Sequence, residues 1–450
     1  MSSSSAHLRQ IGIYRNLPTF DESLEGLTAI ITGANGISGF NTMRALLDSP
    51  QRWKTIYCLS RRPPPDEMMA LLSEEARSRI KIISCDFLDD PAVIAESLKT
   101  SAVRADHVFF YSYIHKDWSE AEALVESNTA LLKNFLEALQ LAGVKPARFV
   151  LQTGGKNYGT QIGRARTPQL ESDPQPKHLA PNFYYPQEDL LKAFCERNGA
   201  SWNVIRPAAV IGASTHAAMN TFYPFAVYAA VQARKGEPLF FGGDWEQWQY
   251  EYYHCSARMT GYLTEWAALE KPCGNEAFNT NDGGPLTYER FFNELARWFG
   301  AKGVVPPPDD ESQMATVELG RGGKESPLGY GPPILAKQSF SLGDWARDEK
   351  NAAVWRDIMK ESGGKITSNP FDDAESFYMT KWAYHRFGSV CLNKARRFGW
   401  TGFVDTMESI FEMYQEMGQF GALPAMQVNL EKGVILTFIL FEHLAVSLPR

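Results

Sequence analysis

Short apolar segments alternate with amphipathic segments along the first half of the chain. The apolar segments are rich in Ile, Val and Phe and lack polar alternation, which is typical of parallel strands buried on both faces. These predicted strands are Leu27–Thr32, Thr55–Ser60, Ile80–Asp86, His107–Ser112, Arg148–Thr153 and Trp202–Gly212. Apolar residues spaced by three and four predict helices at Gly39–Leu47, Pro91–Leu98, Glu120–Ala142 and Tyr185–Arg197. This succession predicts an α/β fold built on a doubly wound parallel sheet.

The second half of the chain is less regular. Residues 303–345 are rich in glycine and proline, and such a segment predicts a surface excursion that serves as a lid, an interaction segment or a disordered loop. Helical spacing returns at Ala352–Met359 and Glu375–Met417. We therefore expect a smaller, mostly helical part after the sheet.

The charge balance and the cysteines exclude several classes of protein. Among 450 residues, 45 Lys and Arg face 52 Asp and Glu, a net charge of −7. Nucleic-acid binding is not expected, because it needs a surplus of cations. The six cysteines are widely spaced, so neither a metal site nor a disulfide framework is predicted, and a cytoplasmic location fits. The apolar run 433–441 is shorter than the roughly 18 to 20 residues that span a bilayer, so no membrane span is predicted.

The strongest chemical signal follows the first predicted strand and reads Thr32-Gly33-Ala34-Asn35-Gly36-Ile37-Ser38-Gly39. Between a strand and a helix, Gly33 allows the tight bend, Gly36 lets a pyrophosphate approach the backbone, and Gly39 lets helix and strand pack closely. The amides at the helix N-terminus then hold the anion. A purely structural turn is the alternative, but the context favours a dinucleotide-binding sheet of the Rossmann type.

The end of the second strand distinguishes NADP from NAD. An NAD site places an acidic residue there, whereas Ser60-Arg61-Arg62 offers two guanidinium groups and a hydroxyl, which suit a 2′-phosphate. A solvated basic turn is the alternative. At the end of the third strand, Asp86 is placed to accept from the adenine amino group and Phe87 to lie against the ring, with a plain strand-end cap as the alternative.

The glycine motif resembles that of the extended short-chain dehydrogenase/reductases, which pair a catalytic Tyr with a Lys four residues later. Here Tyr184 and Tyr185 are followed at that distance by Glu188 and Asp189. A different lysine is therefore needed, and Lys156 at the end of the fifth strand is the candidate.

The chain resembles the progesterone 5-beta-reductase and iridoid synthase (PRISE) family in two blocks, Leu151-Gln152-Thr153-Gly154-Gly155-Lys156-Asn157-Tyr158 and Asn182-Phe183-Tyr184-Tyr185-Pro186-Gln187-Glu188-Asp189. The resemblance extends from about residue 27 to residue 418. It implies catalysis by Tyr184 and Lys156, with NADPH as the reductant of the C=C bond of enones or enals. Together with the residues above, it gives the expected cofactor-binding set: Thr32, Gly33, Asn35, Gly36, Ile37, Gly39, Ser60, Arg61, Arg62, Asp86, Phe87, Ser112, Tyr113, Lys156, Tyr184, Ile205 and Pro207.

The residue types agree with this chemistry. Hydride delivered to the β-carbon of an enone leaves negative charge on the carbonyl oxygen, and a hydroxyl donor at that oxygen stabilises the transition state. Tyr184 is expected to be the donor. A nearby Lys156 ammonium would favour the ionised phenol, strengthen the donor and hold the ribose hydroxyls.

The expected substrate is a hydrophobic small molecule that is reduced at an activated C=C or C=O bond. Candidates for the substrate wall are Tyr113, Ile162, Phe222, Tyr223, Trp245 and Trp248. Two alternatives stay open. The same fold and cofactor serve non-reductive isomerisation, epimerisation or cyclisation, or the chain is an NADP-binding regulatory protein without turnover.

These expectations divide the chain into four parts. They are an N-terminal extension 1–26, an NADP-binding Rossmann domain 27–212, a substrate-binding part 213–418 with the insertion 303–345, and a hydrophobic C-terminal extension 419–450. The tail is expected to pack on the body or on a second subunit, and the latter would form a homodimer.

Overall fold

A computed structural model describes residues 8–115, 120–215, 220–372, 377 and 380–428. The strands in this part of the chain are β1 (Arg9–Ile11), β2 (Tyr14–Leu17), β3 (Leu27–Thr32), β4 (Trp53–Ser60), β5 (Ile80–Ser84), β6 (His107–Phe110), β7 (Arg148–Gln152), β8 (Ser201–Pro207), β9 (Ala209–Ile211), β10 (Leu239–Phe240), β11 (His254–Ser256), β12 (Glu276–Thr280), β13 (Val304–Val305), β14 (Ala315–Gly320) and β15 (Ile334–Gln338). The α-helices are α1 (Ile37–Leu47), α2 (Asp66–Met69), α3 (Glu74–Ser78), α4 (Pro91–Thr100), α5 (Ala121–Ala142), α6 (Tyr184–Asn198), α7 (Tyr223–Lys235), α8 (Trp245–Trp248), α9 (Ala257–Leu269), α10 (Tyr288–Phe299), α11 (Leu342–Arg347), α12 (Glu349–Glu361), α13 (Thr380–Ala383), α14 (Asn393–Arg397) and α15 (Thr406–Gln419). The apolar run 433–441 lies outside the described residues.

Seven parallel strands of the described chain form the central sheet, in the order β5-β4-β3-β6-β7-β8-β12. Alternate residues of β3 enter opposite cores: Ala29 and Ile31 pack on the side of α1 and α9, and Ile30 packs on the side of α5 and α6. This confirms the predicted Rossmann-type doubly wound α/β fold. The strand order reverses between β3 and β6, and ligands of such sheets bind at this switch point, outside the carboxyl ends of the strands.

The predicted single strand Trp202–Gly212 is wrong. The chain leaves the central sheet after Pro207, and β9 pairs with β11 in a separate two-stranded parallel sheet. The break places Ala208 and Ala209 at the carboxyl edge, where both line the cavity described below.

The strand β12 lies beyond residue 212, so the central sheet does not end where the predicted Rossmann domain ends. Its apolar pattern is weak because Asn279 and Thr280 are polar although fully buried. Asn279 is accommodated by hydrogen bonds, since it accepts from the Tyr158 hydroxyl at 2.5 Å and donates to the Gln169 carbonyl oxygen at 3.0 Å. Because side-chain hydrogen bonds satisfy its buried polar residues, this strand lacks the apolar pattern from which a strand is predicted.

The segment 303–345, which is expected to be a surface excursion, contains regular secondary structure. β13 pairs with β10, β14 and β15 form an antiparallel hairpin, and α11 follows. Most residues of β14 are exposed or half-buried, so the hairpin depends on backbone hydrogen bonds and shows little apolar periodicity.

The long helical stretch expected over Glu375–Met417 is also wrong in the described residues. Only α13, α14 and α15 are helical there. Gly388 and Gly399 adopt positive φ, and the chain between α13 and α14 runs past Gln169, which forms a bridge with Val390.

Residues 8–26, within the predicted N-terminal extension, pack on the body. Arg9 in β1 pairs with the buried Glu265 of α9 at 3.3 Å. Tyr14 in β2 donates its hydroxyl hydrogen to Glu412 of α15 at 2.8 Å. Across the described ranges, no helix combines the length and the apolar character needed to cross a bilayer.

Candidate active site

The ends of β3 and β6 meet at the switch point of the sheet. The Thr32 hydroxyl oxygen accepts hydrogen bonds from the N–H groups of Tyr111 at 3.0 Å and Ser112 at 3.2 Å, which draws the two strand ends together. Gly33 follows with a φ of 62°, and a Cβ at this position would lie 2.9 Å from the Tyr111 carbonyl oxygen. Glycine alone combines this backbone conformation with so close an approach.

The helix α1 begins directly after this turn. Gly36 is its N-cap residue, and the Gly36 N–H donates to the Gly33 carbonyl oxygen at 3.0 Å. A Cβ on Gly39 would overlap that same oxygen, so Gly39 lets helix and strand pack closely. No side chain caps α1, and its first N–H groups therefore keep their partial positive charge for an anion at the carboxyl edge.

A cavity of about 1360 Å³ runs along this edge of the sheet. Most of the residues expected to bind NADPH line it: Gly33, Asn35, Gly36, Ile37, Gly39, Ser60, Arg61, Arg62, Asp86, Phe87, Ser112, Tyr113, Lys156, Tyr184 and Pro207. Thr32 and Ile205 do not. Thr32 acts through the two hydrogen bonds given above, whereas Ile205 is fully buried within the sheet. One cavity thus contacts the glycine turn, the arginine pair and the catalytic candidates.

Arg61 and Arg62 follow β4 and are exposed at the cavity. The Ser60 hydroxyl donates to the Arg62 carbonyl oxygen at 2.5 Å, and the Ser84 hydroxyl donates to the Arg61 carbonyl oxygen at 3.2 Å. These bonds fix the turn that presents both guanidinium groups. Among the described residues that line the cavity, Asp86 is the one acidic side chain, so this end of the cavity favours an anionic ligand.

Asp86 and Phe87 have structural contacts of their own. The Asp86 carboxylate accepts from the Leu88 N–H at 3.0 Å, which is the strand-end cap that the sequence left open. The Phe87 ring is 3% exposed and packs against Phe110 and Phe135, with ring centroids 6.2 and 4.9 Å away. Most of this ring therefore belongs to the core.

Asn182 connects the two segments that carry the catalytic candidates. Tyr184 is the first residue of α6, and Lys156 lies in a short 3-10 helix after β7. The side-chain amide of Asn182 donates to the Lys156 carbonyl oxygen at 2.9 Å, and its side-chain oxygen accepts from the Tyr184 backbone N–H at 3.0 Å. The Tyr184 hydroxyl lies above Gly154, where a Cβ would be 3.3 Å from it. The displaced lysine and the tyrosine are therefore brought to one site.

Burial controls the protonation of this pair. It raises the pKa of Tyr184 above its ordinary value, and the neighbouring Tyr113 phenol raises that pKa further. Burial lowers the pKa of Lys156 to about 7. The expected lowering of the tyrosine pKa by a lysine ammonium is thus not seen. At neutral pH, Tyr184 is an uncharged phenol that can donate a hydrogen bond.

Only Tyr113 among the six candidates for the substrate wall lines the cavity. The other five are not among its lining residues. Phe222 is 1% exposed and packs edge-on against Phe291 at 5.2 Å, and Trp248 packs against Phe241 at 4.8 Å. Large aromatic side chains more often fill a core than line a ligand site. Phe222 and Trp248 both belong to the hydrophobic core.

The remaining three candidates are engaged in other contacts. The Tyr223 hydroxyl donates to the Ala422 carbonyl oxygen at 3.3 Å, and the Trp245 indole N–H donates to the Pro308 carbonyl oxygen at 3.1 Å. The carbonyl oxygen of Ile162 accepts from the Arg321 N–H at 3.1 Å, in the insertion.

Residues 29–320 match the family described as the PRISE-like Rossmann-fold domain. The chain belongs to this PRISE family. It is 31% identical to the short chain dehydrogenase gsfE of Penicillium aethiopicum, over 88% of this chain and 99% of that protein. It is 27% identical to an (S)-8-oxocitronellyl enol synthase of Antirrhinum majus, over 88% and 92% of the two chains. It is 25% identical to the 3-oxo-Delta(4,5)-steroid 5-beta-reductase of Arabidopsis thaliana, over 88% and 93%. The family makes the chain an enzyme of the extended short-chain dehydrogenase/reductase class.

In this PRISE protein, the wall that sequence reasoning missed comes from two distant segments. The first segment is 252–254, where Tyr252, Tyr253 and His254 line the cavity. The second is 385–387, where His385 and Phe387 line it. The His385 ring stacks on Phe387 with centroids 4.0 Å apart. Burial lowers the pKa of both histidines to about 4, so both are neutral at pH 7. The dense aromatic run at 250–254 was the available signal for the first segment.

Proposed function

We propose that the protein is an NADPH-dependent reductase of an activated C=C bond, in an enone or enal, or of a carbonyl, in a hydrophobic small molecule. The observation that carries the proposal is that Tyr184, Lys156 and the glycine turn contact one cavity. The printed names of the relatives, which include a dehydrogenase and a steroid reductase, support a redox reaction on a small molecule.

The residues of the site suit NADPH. Gly33 and Gly36 line the cavity next to the N-terminus of α1, a position that suits the pyrophosphate. Arg61 and Arg62 suit the 2′-phosphate, since guanidinium groups bind such oxygens in a bidentate way. Lys156 would hold the ribose hydroxyls. When it is bound, the nicotinamide supplies the hydride.

The proposed role of Tyr184 follows from its uncharged state. As hydride reaches the β-carbon, the π pair of the C=C bond shifts to form a double bond between the α-carbon and the carbonyl carbon, and the π pair of the C=O bond moves to the oxygen, which forms an enolate. The Tyr184 hydroxyl donates a hydrogen bond to that oxygen, where the charge develops, and such donors stabilise the transition state most. A proton from solvent then adds to the α-carbon, so the product gains two hydrogens. In a carbonyl substrate, the hydride adds to the carbonyl carbon, Tyr184 gives its proton to the oxygen, and solvent returns a proton to Tyr184.

The part of the cavity formed by the segments 252–254 and 385–387 suits an uncharged substrate. His254 and His385 are neutral, and Tyr252, Tyr253 and Phe387 add aromatic surface. A carboxylate or phosphate would lose its hydration there without an opposite charge to replace it.

The test follows NADPH absorbance and product mass with linear enals, cyclic enones and saturated ketones. We expect substrate-dependent loss of absorbance and a product heavier by two hydrogens. Conversion of a substrate at constant absorbance would overturn the proposal in favour of isomerisation or cyclisation. Binding of NADPH without conversion of any substrate would favour a regulatory protein.

A further inference from the structure

We infer that the β14–β15 hairpin is a positioning element that fixes two parts of the substrate wall and so determines which substrates fit. The inference rests on the proposed function for the identity of the substrate. Its structural basis is a set of contacts on both sides of the hairpin.

On one side, the hairpin binds the loop that follows Lys156. The Arg164 N–H donates to the Arg321 carbonyl oxygen at 2.9 Å, and the Arg321 N–H donates to the Ile162 carbonyl oxygen at 3.1 Å. Gly163 and Arg321 thereby form a parallel bridge. The end of β14 is thus joined to the loop by backbone hydrogen bonds on both sides of Gly163.

The segment between the two strands of the hairpin adds to this contact. The Leu328 N–H donates to the Arg164 carbonyl oxygen at 2.8 Å, and the Arg164 Nε donates to the Pro332 carbonyl oxygen at 2.8 Å. Pro327 packs on Gly159, where a Cβ would lie 2.6 Å from the proline ring. The loop 159–164 is therefore held along its length.

This loop reaches the cavity. Thr160 and Gln161 line it, and the Thr160 hydroxyl donates at 3.3 Å to the carbonyl oxygen of Gly155, which is next to Lys156. A displacement of the loop would move the wall at Gln161 and loosen the turn that carries Lys156.

On its other side, the hairpin holds the segment that includes His385 and Phe387. The Arg386 guanidinium donates to the Leu335 carbonyl oxygen of β15 at 2.6 Å. Because Arg386 lies between the two wall residues, this bond restrains both of them.

The strand β15 is itself anchored to the body. The Lys337 N–H donates to the Asp244 carboxylate at 2.7 Å, and Gln338 forms a bridge with Gly243. The hairpin therefore supports a loop of the NADP-binding part and a segment of the C-terminal part from one fixed position. Small changes in the wall of a substrate pocket affect specificity, since one methylene group changes the discrimination between two substrates by about 10- to 200-fold.

Two substitutions break the hairpin contacts separately. In Gly163→Ala, the new Cβ would overlap the Arg321 carbonyl oxygen. The matched control is Gly343→Ala in α11, where a Cβ meets only the Ser341 hydroxyl at 3.8 Å. Arg386→Met removes the bond to Leu335 and also the ion pair with the exposed Glu246 at 3.7 Å. Its control is Arg356→Met, which removes the ion pair of an exposed arginine of α12 with Glu349.

The measurement is the calorimetric Kd of a narrow linear enone and of a wide polycyclic enone, each with NADP⁺ present so that no turnover occurs. We expect both hairpin variants to raise the wide-to-narrow affinity ratio by about threefold or more. In Arg386→Met, at a position far along the chain from Lys156, the Kd of NADP⁺ should change less than about twofold. The two control variants should match the wild type.

An unchanged ratio in both variants would overturn the inference, and a shift in only one would overturn the claim that the hairpin acts on both wall segments. Hydrogen exchange gives a second readout: Gly163→Ala should speed exchange of the amides at 384–391, and unchanged exchange there contradicts the coupling. Failure of the wild type to oxidise NADPH would refute the reductase proposal without changing these affinities.

Discussion

The Arg206 guanidinium donates to both carboxylate oxygens of Glu188, at 2.9 and 3.1 Å, in the interior next to the catalytic candidates. Glu188 is one helical turn after Tyr184 in α6, and Arg206 belongs to β8. Arg206 also donates to the Tyr158 hydroxyl at 3.4 Å, in the 3-10 helix that carries Lys156. The ion pair therefore connects the helix of the tyrosine with the turn of the lysine.

Arg206→Met should destabilise the fold by about 3 to 5 kcal/mol, because it leaves the Glu188 carboxylate buried without its main partner. Glu188 is 2% exposed, so solvent does not replace the guanidinium. Urea denaturation followed by circular dichroism measures the change in the free energy of unfolding.

The control for this variant is the exposed pair of Lys177 and Asp189, whose side chains are 54% and 66% exposed. Asp189→Asn should cost less than about 1 kcal/mol, since solvent screens such a pair. Similar losses in the two variants would show that the Arg206 pair stabilises no more than a surface contact.

Local signals in the sequence were sufficient for six of the seven strands of the central sheet, all but β12, and for the glycine turn. β3, the turn at Gly33 and α1 follow one another directly, and each has its own pattern of apolar residues or glycines. Tyr184 and Lys156 could be proposed as the catalytic pair because each lies in a short block of residues that resembles the family. Features whose parts are close in the chain could thus be predicted.

The substrate wall and the Arg206 pair could not be predicted in this way. His385 reaches the cavity because the chain after α13 runs beside Gln169, a contact between distant segments with no local pattern. Phe222 and Trp248 were assigned to the wall because the sequence does not distinguish an aromatic residue in the core from one at a ligand. Their burial follows from packing between α7, α8 and α10, which only the folded chain shows.

The buried carboxyl of Asp282 should make stability depend on pH. It accepts from the Ser256 N–H at 2.6 Å and from the Thr406 hydroxyl at 3.0 Å, and burial raises its pKa to about 7. The unfolded value is roughly 3.9, so the folded state holds the proton more tightly. The stabilisation is complete below the unfolded pKa and is lost as pH rises toward about 7.

Asp282→Asn removes this titration. Between about pH 5 and about pH 7.5, the wild type should lose about 2 kcal/mol relative to the variant, measured by urea denaturation at each pH. Asp309→Asn, at an exposed position of the insertion, should keep the wild-type slope. Parallel pH profiles for the wild type and Asp282→Asn would contradict the prediction.

The arginine pair after β4 should determine the choice between NADPH and NADH. Replacing both Arg61 and Arg62 with Ala should remove the two charge-assisted hydrogen bonds proposed to the 2′-phosphate, so the Kd of NADPH should rise by about 10- to 100-fold. The Kd of NADH should change by less than about threefold. Fluorescence titration measures both. Arg77→Ala, at an exposed position of α3 outside the cavity, is the control, and an equal loss for both cofactors would mean that the arginines do not bind the 2′-phosphate.

The tyrosine doublet at the start of α6 offers a test of the catalytic assignment in which each residue controls for the other. Tyr184→Phe should lower turnover by about 100- to 1000-fold, since it removes the donor to the developing oxyanion, and should leave the Kd of NADPH nearly unchanged. Tyr185 does not line the cavity, and its hydroxyl donates to the Asn157 carbonyl oxygen at 3.3 Å. Tyr185→Phe should therefore keep its turnover and lose about 1 kcal/mol of stability.

The pH profile distinguishes a neutral donor from an ionised one. Because burial raises the pKa of Tyr184, the phenol keeps its proton up to at least about pH 10, and turnover should not fall through its ionisation below that pH. Steady-state rates measure this dependence of turnover on pH. They are collected from pH 6 to pH 10, roughly the range between the ordinary pKa values of histidine and tyrosine. An ionisation within that range that is seen in the wild type and absent from Tyr184→Phe would show that the tyrosine acts as a phenolate. The hydrogen-bond donor would then have to be sought in another phenol of the same cavity, such as Tyr113.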